Sequence, residues 1–362
     1  MKRSSAFVLA LAAAPLFAQP EIPFDSVPDF FKYPSEMNLG EMASVAVNSK
    51  GHIFMLSRSN VTGPLYGTIA TQVLEFDKNG NYIREIGKGL YGFGYAHSIR
   101  FDKYDNLWVV DKGTNMIMKF NPAGHVTMVL GRKEEAPDEH EYRKAGDPPP
   151  RHVDNYYNQP TDVAWDSEDN IFISDGYQNS RVAKIDKNGD WIKSWGSRGA
   201  DPGQFNTPHN IGLDRQNNVY VADRQNARIQ VFDANGTFLR IIKINVPPPP
   251  GAKFVLGNTP PSPPSTGTMG AGAPWTICIT QGPTQYLYTN DAFPGRIYKL
   301  TLDGTVVGMF GKAGRQLKQF NWNHGLACPS ENELYAADLN NWRVQKLILH
   351  PSKSAATAAI QP

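Results

Sequence analysis

Two cysteines in 362 residues exclude a disulfide-dense scaffold and a Cys-rich zinc module. Charge is scarce as well. Lys, Arg, Asp and Glu make up 19% of the chain, with a formal net charge of +2, whereas soluble domains carry about 25% charged residues. No run of Lys and Arg offers the basic face that nucleic acid demands, so no nucleic-acid partner is expected. Past residue 18 no apolar run approaches the roughly 20 residues of a spanning helix, so no stable membrane span is expected. A phosphate-binding Gly-rich loop with Lys, an HExxH helix, a CxxC pair and a GxSxG elbow are all missing.

What is present points elsewhere. Gly 32 and Pro 28 make turns abundant, and 11% aromatics supply a core that a disordered chain would lack. Residues 1–18 read MKRSSAFVLALAAAPLFA. A basic start, a short apolar run and a small residue at the end form a secretory signal peptide. The mature chain is expected to be secreted or periplasmic, with fold reasoning starting at residue 19. Cys278 and Cys328 could pair in such a compartment, but the repeat register gives them opposite parity on neighbouring strands, which argues against the bond.

The body of the chain repeats. SVAVNSKGHIFMLSR, HSIRFDKYDNLWVVDK, TDVAWDSEDNIFISDG, HNIGLDRQNNVYVADR, WTICITQGPTQYLYTNDA and HGLACPSENELYAADL follow one another. Each is an alternating strand, a polar turn and a second strand. A second hairpin follows most of them, with Asn79-Gly80, Asn188-Gly189, Asn235-Gly236 or Asp303-Gly304 at its tip. Such pairs supply the positive φ of tight hairpins. Units of four strands and roughly 45 residues are the size of propeller blades. The spacing predicts an all-β, six-bladed β-propeller over residues 19–351. Insertions are expected at 132–157 and 246–273, read as loops on the rim of one face, and a disordered tail at 352–362. The last unit stops after three strands, and Asp29–Tyr33 is expected to add the missing outer strand.

One register position carries the chemistry. The first residues of the six inner strands are Ala43, His97, Thr161, His209, Trp275 and His324. Asp111, Asp175, Asp223 and Asp338 each follow their register residue by 14 positions, so the alignment does not depend on the histidines. Blades two, four and six therefore present His at equivalent positions, about 120° apart around the central channel. Three imidazoles with one open position form a catalytic metal pattern, and zinc suits them first. The second strand of each unit returns to the same face. It delivers Arg58, Tyr177 and Arg224 around the open side. Guanidiniums suit carboxylate capture, and a phenol beside cations can serve as a general base. Each of these residues also has a plain alternative: a wet channel lining for the histidines, salt bridges for the arginines, wall packing for the tyrosine.

The combination resembles peptidyl-α-hydroxyglycine α-amidating lyase, within the wider group of NHL-repeat propellers. The resemblance runs from about Ser44 to Leu349. It is densest in NQPTDVAW…ISDGYQNSR (Asn158–Arg181), PGQFNTPHNIGLD (Pro202–Asp214) and VYVADRQNARIQVF (Val219–Phe232). It implies zinc on His97, His209 and His324, a catalytic Tyr177, and functional Arg58 and Arg224. It further implies a small-molecule or peptide substrate bearing a carboxylate, cleaved at its C–N bond to a primary amide and glyoxylate. The family pattern also implies a structural calcium, held in part by Asp after the third ligand, where this chain has Gly325. Two residues before that ligand the family has Met, and here it is Trp322. Two other readings stay open from the residues: a non-catalytic NHL propeller binding a peptide, glycan or protein, and a lactonase-type propeller hydrolase.

Overall fold

Alternation of apolar and polar residues sets six four-stranded antiparallel sheets in a computed structural model, which describes residues 20–58, 71–133, 153–255 and 269–351. Blade one is built from Glu41–Val47, Ile53–Arg58, Thr71–Phe76 and Tyr82–Ile86. Blade two holds Ala96–Phe101, Leu107–Asp111, Met116–Phe120 and Val126–Leu130. Blade three holds Asp162–Trp165, Ile171–Asp175, Arg181–Ile185 and Trp191–Trp195. Blade four holds Pro208–Leu213, Val219–Asp223, Arg228–Phe232 and Phe238–Ile242. Blade five holds Cys278–Ile279, Leu287–Asn290, Ile297–Leu300 and Val306–Phe310. Blade six holds Asn323–Ala327, Glu333–Asp338 and Arg343–Leu349. Among the described residues no helix is long and apolar enough to cross a membrane.

The core lies between blades rather than within one. Each blade–blade contact has its own apolar cluster. One joins Leu56 and Val73 of blade one to Val109 and Met118 of blade two. Another joins Met55 and Leu74 of blade one to Tyr335 and Ala337 of blade six. The four others lie between the remaining neighbours. Removing that area from water is the main drive for closing the ring.

Closure differs from expectation in its strand. Blade six does lack a fourth strand of its own, but Phe24–Ser26 supplies it, pairing Phe24 with Leu349 and Ser26 with Leu347. Asp29–Tyr33 lies further along. Phe31 and Tyr33 pack edge-on against Phe76 of blade one, while Phe30 lies 6.3 Å from Tyr335 of blade six. Consecutive aromatics suit this seam better than a strand with one dry face.

Cys278 and Cys328 are also bonded, contrary to the parity argument. Cys328 sits one residue past the end of Asn323–Ala327, where strand alternation no longer dictates its direction. The bond joins the inner edges of blades five and six.

Segments 1–18 and 352–362 and the middles of both insertions lie outside the described residues. The ends that are described reach the histidine face. Val153 and Tyr156 offer their carbonyls to Arg181, and Met269 packs with Trp275.

Candidate metal centre

Each inner strand that carries a histidine bulges at it. Pairing steps from Ala96↔Asp111 to Ser98↔Val110, skipping His97. It steps from Asn323↔Asp338 to Gly325↔Ala337, skipping His324. An extra residue also falls between Pro208 and Ile211, where His209 lies. A bulge re-aims its side chain, and here all three turn into the channel.

The six register residues then interlock. His97 Nδ1 bonds the carbonyl of Thr161 at 2.7 Å, His209 Nδ1 that of Trp275 at 2.8 Å, and His324 Nδ1 that of Ala43 at 2.8 Å. A carbonyl only accepts, so each Nδ1 carries the proton and donates it. Each Nε2 is left as a bare lone pair. The three groups converge, with ligand atoms all within 4.8 Å of one another and all three residues buried. His97 Nε2 and His209 Nε2 face each other at 3.0 Å.

Protonation does not relieve that opposition of lone pairs. Burial holds His97 and His209 well below the ordinary histidine value, helped by the other imidazoles and by Arg58, Lys112 and Arg224. Burial and Arg58 bring His324 down to about 3. Three convergent neutral acceptors in a dry site suit a cation. Tetrahedral zinc, with Zn–N of about 2.0–2.1 Å, would place its nitrogens roughly 3.3 Å apart, close to the 3.0 Å between His97 and His209. The donor set therefore fits zinc.

Calcium fits poorly. A Cβ on Gly325 would lie 2.7 Å from Ser44 Cα and 3.1 Å from the Ala43 oxygen, so no carboxylate has room there. A guanidinium occupies the channel instead. Arg100 of blade two reaches across to Asp162 at 2.7 Å, Asn210 at 2.8 Å and the Ile277 carbonyl at 3.0 Å. Among the described residues the three histidines are the one His/Cys/Asp/Glu group able to hold a metal.

The ring around the open side is set by a repeated clamp. Asp175 accepts from the Asn158 backbone N–H, Asn179 and Arg181. Asp223 accepts likewise from Asn206, Asn226 and Arg228, and Asp338 from Asn321, Asn341 and Arg343. Asp175, Asn179 and Arg181, like Asp223, Asn226 and Arg228, are thus scaffold, fixing the turns that carry Tyr177 and Arg224. Gly176 is needed for the approach, because a Cβ there would sit 1.9 Å from the Pro208 carbonyl oxygen. That contact sets Tyr177 beside His209, with ring centroids 6.2 Å apart.

Tyr177 Oη lies 3.3 Å from His97 Nε2 and 3.5 Å from Arg224 Nη1. Burial alone would raise its pKa. The charges of Arg224 and Lys112, with Arg58 behind them, outweigh burial and bring it below the ordinary tyrosine value. Arg224 also lies over the Trp275 ring at 4.2 Å, and its Nε has no partner. Arg58 lies over the Tyr95 ring at 4.0 Å and is occupied. Its Nε donates to the Ala96 carbonyl, and its Nη1 to Tyr95 Oη and Glu41.

All six expected site residues are brought together. One residue was missed: Lys112. Its ammonium stands 3.6 Å from the Tyr177 ring centroid. The signal was available, since Lys112 directly follows Asp111 as Arg224 follows Asp223, with Tyr177 one residue further past Asp175. A second unread feature is an apolar wall of Trp275, Trp322, Met269 and Ala292.

Residues 154–256 match a family described as DUF5128: 6-bladed beta-propeller. Peptidyl-glycine alpha-amidating monooxygenase of Mus musculus is 30% identical over 231 residues, 56% of this chain and 22% of that protein. Peptidyl-alpha-hydroxyglycine alpha-amidating lyase 1 of Drosophila melanogaster is 24% identical over 354 residues, 87% of this chain and 58% of that protein. The chain thus spans about a fifth to three fifths of these relatives' length. The solved virginiamycin B lyase of Staphylococcus aureus aligns with a TM-score of 0.54 at 14% identity, over 91% of this chain and 100% of that one, which speaks for the fold alone. The chain is a six-bladed β-propeller related to amidating-lyase proteins.

Proposed function

We propose that the protein is an exported, zinc-dependent carbon–nitrogen lyase acting on a carbinolamide, R–CO–NH–CH(OH)–COO⁻. The observation that carries this reading is the meeting of three bare Nε2 atoms with Tyr177 Oη, 3.3 Å from one of them. The named relatives support the reaction class, and the bond between Cys278 and Cys328 suits an oxidising compartment.

When bound by His97, His209 and His324, zinc would supply Lewis acidity toward a substrate oxygen. The chain's own residues do the rest. Tyr177, as phenolate, takes the proton of the carbinol hydroxyl. The O–H electron pair becomes the second bond of the aldehyde carbonyl, and the C–N bond breaks. Its electron pair stays on the amide nitrogen, which takes a proton from Tyr177. The products are a primary amide and glyoxylate. Arg224 faces the carboxylate, and Arg58 adds positive field from behind Tyr95.

The test is incubation of the zinc-loaded protein with N-benzoyl-α-hydroxyglycine, following benzamide and glyoxylate. The expected result is release of both in equal amounts at an enzymatic rate. No release above the buffer rate would leave a binding propeller as the better reading.

A further inference from the structure

Three cations surround Tyr177, and they differ in what they hold. Through Nε and Nη1, Arg58 already holds a carbonyl, a phenol and the Glu41 carboxylate at 3.3 Å. Arg224 has a buried Nε without a partner and one long contact to Tyr177. Lys112 lies over the Tyr177 ring at 3.6 Å and farther from that of Tyr95, at 5.2 Å. Among the described residues its ammonium has neither a hydrogen-bond acceptor nor a carboxylate partner. Lys112 is half-buried, and a cation–π contact returns only about 0.5–2 kcal/mol. Burial and the two guanidiniums accordingly hold Lys112 below the ordinary lysine value.

We infer that Lys112 and Arg224 together grip the carboxylate of the ligand, and that Arg58 stands outside that contact. Both cations lie against Tyr177, at 3.6 and 5.4 Å from its ring centroid, so an anion they hold sits beside the phenol. Charge counts the same way. Three cations face one carboxylate, Glu41. The site therefore carries excess positive charge, to which a bound zinc would add, and an anionic ligand is the matched class. The inference takes its substrate class from the lyase reading, but carboxylate capture can be measured without turnover.

The probe is N-benzoylglycine, which lacks the hydroxyl and cannot be cleaved, titrated calorimetrically into the zinc-loaded protein. The wild type is expected to bind it, and Lys112→Met to weaken binding at least about 10-fold. Lys112→Arg should restore most of the affinity. Arg58→Met should weaken it less than Lys112→Met does. The methyl ester should bind the wild type and Lys112→Met alike, a contrast that a merely misfolded variant would not give. Equal affinity of Lys112→Met and wild type for the acid would overturn the inference, as would absence of binding by the wild type. Binding through Lys112 without glyoxylate release would sink the lyase reading and leave the carboxylate site standing.

Discussion

Tyr177→Phe is expected to lower kcat by about 10²–10⁴-fold, the usual weight of a general base, while the metal stays bound. The substitution removes one oxygen and little else. The ring keeps its edge-on contacts with His97 and His209 at centroid distances of 5.6 and 6.2 Å. It also keeps Lys112 over its face. Among the described residues the Oη has only His97 Nε2 and the distant Arg224 Nη1 as polar partners, so no scaffold hydrogen bond is lost there. Single-turnover glyoxylate release, read beside metal content and the thermal midpoint, separates the cases. Unchanged turnover would remove Tyr177 from the chemistry. Loss of metal with loss of turnover would make it a structural prop of the histidines.

Arg224→Met should produce the second large effect and move stability the other way. The guanidinium is the first of the charges that stabilise the Tyr177 phenolate, and it faces the place assigned to the carboxylate. Its loss is expected to cut kcat/KM by about 10²–10³-fold, as for removal of a donor aimed at developing charge. Yet the group is buried, its Nε is unpartnered and it shares the site with two other cations. Methionine keeps apolar contact with Trp275 without those costs. The variant should therefore melt at or above the wild-type temperature. A fall in both activity and melting temperature would mean that Arg224 holds the fold.

Much of this arrangement is written in the sequence because propeller repeats turn position into geometry. Asn-Gly and Asp-Gly tips mark the hairpins, and the constant distance from register residue to aspartate sets the phase. With the phase known, His97, His209 and His324 can only meet at the axis. The clamp explains why DGYQNSR and DRQNAR are informative: Asp, Asn and the last Arg of each fix the turn, which presents Tyr177 or Arg224 to the site.

What stayed hidden depends on contacts between blades. The carbonyls of Thr161, Trp275 and Ala43 fix the histidine tautomers, and no spacing within one repeat reveals a partner in the next. The closing strand Phe24–Ser26 is three residues long, too short for periodicity to single out against the neighbouring Phe30 and Phe31. Parity misjudged Cys328 because it lies beyond its strand. The Arg100 reach to Asp162, Asn210 and Ile277 spans blades two to five, and it fills the channel by a route that composition does not show.

The central claim is that three histidines on alternate blades hold one metal ion, and elemental analysis of the purified protein tests it most directly. The account predicts about one zinc per chain, lost in His209→Ala prepared the same way. A protein that neither carries zinc nor takes it up on reconstitution, or a His209→Ala variant that retains it in full, would contradict the account.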